Sequence, residues 1–162
     1  NQQETRAEFF ADDIRDFEPA YNDQDKRYDH IICDPPYLES GAHIQSPSAH
    51  KQLAIGEGED DISLKDWIDA SHRNLKSGGS LTIINRGDAI DKIIRKMGKR
   101  FGVIEIIPLW PKLSRPAKRV IIRGIKDRKS SVIIHPGIVL HDEAGEYTNA
   151  AKSILRNAQP LF

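Results

Sequence analysis

Within Tyr28–Tyr37, Y-D-H-I-I-C-D-P-P-Y, an apolar run meets a carboxylate, two prolines and an aromatic ring. Each of the last four residues brings one property. An ionised Asp34 only accepts hydrogen bonds. Pro35 and Pro36 have no N–H and a fixed φ, so the backbone is stiff and offers carbonyl oxygens without competing donors. Tyr37 supplies a flat ring with a polar tip. This corner fits a planar group bearing an NH2, whose two hydrogens go to the Asp34 carboxylate and the Pro35 carbonyl. The chemistry it suits is alkylation of an exocyclic amine on an aromatic base. Such a nitrogen is a poor nucleophile because its lone pair is delocalised into the ring. Two acceptors bias it toward a tetrahedral shape and aim the lone pair at an electrophile, so positioning and electrostatics carry the step. Tyr37 would stack on a base turned out of its helix or loop, a contact worth roughly 1–3 kcal/mol. The bland alternative is a proline turn that merely ends a strand.

The surrounding elements decide between these readings. His30–Cys33 is a continuous apolar run expected of a strand buried on both faces, and Glu8–Ala11 is a shorter strand candidate ending in Asp12-Asp13. Ser63 caps a helix with Leu64, Trp67, Ile68 and Leu75 on one face, and Gly78-Gly79 is expected to stop it. Leu81–Asn85 is the next strand. Asp88 opens a second helix with Ile90, Ile93, Ile94 and Met97 inward and a cationic last turn of Lys96, Lys99 and Arg100. Strands over Val103–Leu109 and Arg119–Ile125 flank the basic loop Pro111–Lys118. Val132–Ile134 and Ile138–Leu140 read as a small hairpin around Pro136-Gly137, and Thr148 caps a last helix to about Arg156. This order is the rhythm of an open, largely parallel α/β sheet. The last long pair is joined too briefly for a parallel crossover, so one strand should run antiparallel, at the edge. Ligands of such sheets sit beyond the carboxyl ends of the strands, where Asp34 falls. The polar stretch Leu38–Asp61, long and without clear periodicity, is expected to be either a functional loop, on the substrate side, or a mobile one.

Composition sets the outer limits. The 162 residues suffice for one domain, with 131–162 as a C-terminal hairpin and helix extension. Lys+Arg and Asp+Glu both total 24, yet residues 1–75 hold 7 basic and 17 acidic side chains and the remainder 17 and 7. That polarity suits a basic face turned to a polyanion, or two surfaces that neutralise one another. Lys112, Arg115, Lys118 and Arg119 lead a basic run to Lys129 that reads either as phosphate contact with RNA or as a charged, protected sheet edge. Cys33 is the only cysteine, which excludes an internal disulfide and points to a reducing, cytoplasmic setting. No apolar run reaches a membrane span. His30, His43, His50, His72, His135 and His141 are scattered without ligand spacing, so no metal is expected. Ser46, Ser48 and Ser63 lack a paired base, which argues against a hydrolase. Trp67 reads as core; Trp110, between Pro108 and Pro111, is open.

D-P-P-Y after Y-D-H-I-I-C resembles motif IV of the amino-group methyltransferases that use S-adenosylmethionine. L-K-S-G-G-S-L-T-I-I, Leu75–Ile84, is similar to the helix, glycine turn and fifth strand of that fold. F-G-V-I-E-I-I-P-L-W-P, Phe101–Pro111, and R-V-I-I-R-G-I-K, Arg119–Lys126, are similar to its terminal antiparallel pair. From about Phe9 onward the chain most resembles the bacterial "methyltransferase small domain" group, which includes tRNA(adenine-N6) methyltransferases that modify valine tRNA beside its anticodon. The resemblance implies a Rossmann-like class I sheet, mostly parallel with an antiparallel edge strand. It also implies S-adenosylmethionine as cofactor, tRNA as the foremost partner and adenine N6 as the target. It places the target-amine clamp on Asp34, Pro35, Pro36 and Tyr37, with Asp34 also beside the cofactor. The acid that contacts the cofactor's adenine falls on Asp13 in F-F-A-D-D-I; a loop acid or helix N-cap is the alternative there. Adenine in DNA and a glutamine amide in protein are rival substrates.

Such enzymes hold the cofactor with a glycine-rich turn after the first strand and an acid ending the second. Neither has a counterpart ahead of Asp34, and Gly56-Glu57-Gly58 follows no strand and opens no helix. The sheet is therefore expected to be incomplete at the N-terminus, to bind S-adenosylmethionine poorly on its own, and to expose apolar strand surface suited to self-association. A non-catalytic RNA-binding or scaffolding chain is the rival from another class.

Overall fold

A computed structural model describes residues 9–18, 27–35, 62–129 and 131–161. Its strands are β1 (Tyr28–Cys33), β2 (Leu75–Arg86), β3 (Phe101–Trp110), β4 (Arg119–Lys126), β5 (Ile133–Ile134) and β6 (Ile138–Val139). The helices are α1 (Leu64–Asn74), α2 (Ile90–Met97) and α3 (Asn149–Asn157). In the sheet the order is β1-β2-β4-β3, with β5 and β6 both alongside the far edge of β3. All strands run parallel except β4, which is antiparallel to both β2 and β3. The expected mostly parallel sheet is present. Its antiparallel strand is not at the edge, however: it is inserted between β2 and β3. The short loop after β3 reverses the chain, and the reversed strand enters the gap beside β2.

α1 starts with a capping box. Asp66 N–H donates to Ser63 Oγ at 3.3 Å, and Ser63 N–H donates back to the Asp66 carboxylate at 2.8 Å. The Ser63 Oγ–H, donating to the same carboxylate at 2.7 Å, and then the Ser63 N–H hold the Asp66 carboxyl below its usual range. Leu64 and Ile68 are buried, and Trp67 packs partly buried against the same core, as its core reading expects. The glycine pair does not stop this helix. Asn74 is its last residue, and Leu75 turns directly into β2. Gly78 and Gly79 instead form an excursion inside β2, where the register jumps from Tyr28↔Leu75 to His30↔Ser80. Gly78 has φ +81°, and a Cβ on Gly79 would stand 2.9 Å from the Asp29 carbonyl oxygen.

The core lies between the helices and one face of the sheet. Leu81 and Ile83 of β2, Ile104 and Ile106 of β3 and Val120 and Ile122 of β4 meet Ile68, Ile93 and Met97. β1 is buried on one face only. Cys33 is on the core side, whereas Ile32 is 79% exposed. Among the described residues β2 is the only strand paired with β1. Residues 9–11 form no strand; Phe9 is exposed, and Phe10 contacts Phe17 at 6.0 Å between ring centroids.

The expected terminal hairpin is an interrupted strand instead. β5 and β6 do not pair with each other; both run parallel to β3, at Glu105↔Ile133 and Leu109↔Ile138. Pro136-Gly137 bridges the gap. His135 N–H donates to the Ile106 carbonyl at 2.9 Å, and Trp110 Nε1–H to the Pro136 carbonyl at 3.0 Å. Gly137 has φ +80°, and a Cβ there would stand 2.2 Å from the Pro108 carbonyl oxygen. α3 follows, with Thr148 Oγ1 accepting from Ala151 N–H at 3.2 Å.

His72 near the end of α1 gives the fold a pH dependence. Its ring lies edge-on to Phe101 at 5.6 Å, and burial, followed by the charges of Lys126 and Arg100, pushes its pKa below 6.5. A histidine depressed in the folded state binds its proton more readily when unfolded, so its contribution is intact above pH 6.5 and is lost as the pH falls. Urea unfolding should show lower stability at pH 5.5 than at pH 7.5, and His72→Gln should flatten that difference. An unaltered pH dependence in the variant would remove His72 as its source.

Candidate active site at the carboxyl ends of the strands

β1 and β2 run parallel, with Cys33 level with Ile83, so Asp34 and Pro35 emerge beside the end of β2. Asp34 is exposed and Pro35 is fully buried, which anchors the corner on one side and opens it on the other. The carboxylate is thus presented on a backbone fixed by both proline stereochemistry and packing. Cys33, just behind it, is no nucleophile. Burial, and secondarily the Asp34 charge, pushes its thiol up to about 12. Pro36, Tyr37 and the Leu38–Asp61 loop lie outside the described residues.

The other strands bring basic groups to the same end. β4 begins there, with Arg119 opposite both Arg86 of β2 and Leu109 of β3. The 111–118 loop closes onto the tip of β2 where Gly87 N–H donates to the Lys118 carbonyl at 3.0 Å. Topology therefore unites Asp34, Pro35, Lys118 and Arg119 at one edge, although they are far apart in sequence. Arg115 sits in the same loop, exposed, with its N–H on the Lys112 carbonyl at 3.1 Å. Lys112 is engaged elsewhere. Its Nζ donates to the Glu143 carbonyl at 2.7 Å, tying the loop to the turn over 141–147. That turn carries Asp142, Glu143 and Glu146 and a stacked His141–Tyr147 pair, with centroids 4.7 Å apart.

Sequence reasoning passed over Arg86. It ends an apolar strand immediately before Gly87-Asp88, and that position was the available signal. Its Nε donates to Asp88 Oδ1 at 2.9 Å, and the bond holds the Asp88 carboxyl below its usual range.

Asp13 lies in a turn over 13–17. Asp16 N–H and Phe17 N–H donate to its carbonyl, and its carboxylate accepts from Arg15 N–H at 2.8 Å and from the Arg15 guanidinium at 2.6 Å. The Arg15 hydrogen bonds hold its carboxyl down at about 2. The turn is tied to the end of α1 through Arg73 on the Arg15 carbonyl, 2.7 Å, and Asn74 on the Phe17 carbonyl, 3.1 Å.

A cavity of about 280 Å3 runs between β1, α1 and this turn, lined by residues such as Phe17, Tyr28, Ile31, Trp67 and Asn74. Trp67 Nε1 and Asn74 Oδ1 are buried there with no hydrogen-bond partner among the described residues. S-adenosylmethionine carries a carboxylate, an ammonium and a sulfonium. Among the described residues the cavity offers no charged partner for them, and the Asp13 carboxylate is already paired with Arg15. The described residues therefore do not by themselves build a cradle for that cofactor. Among the described residues no group of three or more His, Cys, Asp or Glu could hold a metal ion, and no helix is long and apolar enough to cross a membrane.

No family model matches the chain. A curated protein of Shewanella baltica (strain OS185), named tRNA1(Val) (adenine(37)-N6)-methyltransferase, is 28% identical over 135 residues, covering 80% of this chain and 54% of its own length. A protein of the same name from strain OS195 is 27% identical over 133 residues with the same coverage. The chain thus spans about half the length of the curated relatives it matches. Among solved structures, a predicted O-methyltransferase, protein Atu636 from Agrobacterium tumefaciens, superposes with a TM-score of 0.63 at 23% identity, over 85% of this chain and 54% of that one. The strand order, the inserted antiparallel strand and this superposition identify the fold as the Rossmann-like fold of methyltransferases, in a chain similar in sequence to tRNA adenine-N6 methyltransferases.

Proposed function

We propose that this chain provides the substrate side of a cytoplasmic S-adenosylmethionine-dependent methyltransferase acting on an exocyclic amine, adenine N6 of a tRNA. The observation that carries the reading is the buried-proline corner at Asp34-Pro35, set beside basic groups at one end of the sheet. The shared similarity to proteins named tRNA1(Val) (adenine(37)-N6)-methyltransferase supports the choice of base and of RNA. The methyl donor supplies an electrophilic carbon. This chain's residues do the rest: Asp34 and the Pro35 carbonyl accept the two amine hydrogens, Tyr37 stacks on the base, and Arg115, Lys118 and Arg119 engage phosphates. Asp13 is the residue assigned to the cofactor's adenine, which requires it to exchange part of its Arg15 pairing. The exposed Phe9 and Ile32 support association of this half with further apolar surface, another copy included.

The test is nucleoside analysis of unmodified tRNA transcripts after incubation of the whole enzyme with labelled methyl donor. N6-methyladenosine is the expected product. Label found instead in duplex DNA or on a protein glutamine would replace the substrate. The incomplete cradle among the described residues favours one further reading, an RNA-binding chain without its own cofactor. Calorimetry separates the two, because that reading has the whole protein binding tRNA but never S-adenosylmethionine.

A further inference from the structure

We propose that the stacked His141–Tyr147 pair is a platform for a second nucleobase of the RNA strand, several nucleotides from the base whose amine Asp34 receives. The inference rests on the nucleic-acid reading above and adds to it a binding subsite built by the turn over 141–147.

Position is the first argument. β1, β3 and β6 run in one direction, and Val139 of β6 is level with Trp110 at the end of β3. The pairing continues past both strands. Leu140 N–H donates to the Trp110 carbonyl at 2.7 Å, and His141 N–H to the Pro111 carbonyl at 3.1 Å. The turn therefore leaves the sheet at the same end as Asp34, docked on the first residue of the basic loop. Four strand spacings of about 4.8 Å separate β1 from β6, roughly 19 Å in all, which is too far for the target base itself.

Rigidity is the second. His141 and Tyr147 face each other across an antiparallel bridge. Asp142 N–H donates to the Glu146 carbonyl at 2.9 Å, Gly145 N–H to the Asp142 carbonyl at 3.1 Å and Thr148 N–H to the Leu140 carbonyl at 2.9 Å. These bonds close the turn, and the Lys112 ammonium on the Glu143 carbonyl ties it to the loop. The two rings are thus held within 26° of parallel before a ligand arrives.

The third argument is exposure combined with charge. With His141 against one side of its ring, Tyr147 is still 43% exposed, which leaves surface for a third flat partner. Every nucleobase has a π-face that stacks on such a ring. Asp142, Glu143 and Glu146 make the turn acidic and repel phosphate, whereas Arg115 and Lys118 in the adjoining loop attract it. The strand is accordingly drawn backbone-first onto the loop, and a base turns onto the ring.

The experiment titrates the whole enzyme with two labelled strands of equal length and charge, oligoadenosine and a chain of abasic ribose-phosphate units, at several salt concentrations. Tyr147→Ala should weaken oligoadenosine binding about 5–20-fold and leave the abasic strand within about twofold. The slope of log affinity against log salt should not move, because a stacked base releases no counterions. Tyr147→Phe should bind as wild type does. Tyr147→Leu keeps apolar packing on His141 without the ring, so it should match Tyr147→Ala and replaces it if alanine lowers thermal melting. Wild-type oligoadenosine affinity in Tyr147→Leu, or equal losses on both strands, would overturn the platform and leave the RNA reading in place. An arginine-rich peptide that bound wild type but not Tyr147→Leu, with oligoadenosine unaffected, would reassign the ring to a cationic protein partner. Should the wild-type enzyme bind neither strand, the RNA reading itself would fail, and the platform with it.

Discussion

Asp34→Ala in the whole enzyme is expected to lower the methyl-transfer rate at least about 100-fold while changing tRNA affinity less than about twofold. The magnitude follows from the role proposed for the carboxylate. The ring withdraws the amine lone pair, and only acceptors held in place before the reaction can turn it toward the donor carbon. Losing one such preorganised partner costs about 2.7–4 kcal/mol in comparable sites. Pro35 amplifies the effect: its buried ring sets the direction in which Asp34 leaves β1, so the carboxylate needs no reorganisation. Asp34→Asn separates charge from shape. An amide can offer one oxygen but also presents an NH2 to the substrate NH2, so most of the rate should again be lost. Rates within threefold of wild type for both variants, at saturating tRNA and methyl donor, would exclude Asp34 from the step.

Lys126→Ala should be the most destabilising single substitution of a charged residue in the sheet. Lys126 is 6% exposed, and its Nζ donates to the carbonyls of His72 at 2.7 Å and Leu75 at 2.8 Å. These bonds tie β4 to the end of α1, whose last carbonyls have no partner within the helix. Burial already lowers the pKa of this ammonium, so the site tolerates the charge only because of those two acceptors. Truncation leaves both carbonyls unsatisfied and opens a cavity at the helix end. The expected loss is about 2–4 kcal/mol, read as a lower urea midpoint at constant slope. Lys126→Met refills the volume without the donors, so it should recover less than half. A midpoint unchanged in Lys126→Ala would show that water replaces the ammonium without cost.

The sequence was most legible where one residue type has one physical use. The helix start at Ser63, the buried Leu64 and Ile68 of α1 and the position of the strand preceding Asp34 all lie where patterning placed them. Lateral order is different. The brief loop after β3 required a reversal, but nothing in the alternation of β4 states which neighbours it joins, and it joins two. Pro136-Gly137 shows the same limit at smaller scale. A glycine with positive φ serves a hairpin turn or a break in a single strand equally well, and the Pro108 carbonyl, remote in sequence, selects the second. Gly78-Gly79 read as a helix stop because glycine ends helices; the contact with the Asp29 backbone that makes it a bulge is tertiary. In the site, Asp34 stood out through its proline neighbours. Arg86 did not, because a lone arginine after a strand gains meaning only from the residue across the ladder.

The place of β4 has a consequence for assembly of the molecule. β2 and β3 never touch as a ladder; what joins them is a segment made after both, with Leu81 waiting for Gly124 and Gly102 for Ile125. During synthesis the central seam can close only once Lys126 has left the ribosome, and until then the β1–β2 pair and an unpaired β3 share a chain, because β5 and β6 follow later still. A truncation just before Arg119 would consequently yield not a smaller version of this domain but a polypeptide with its midline missing.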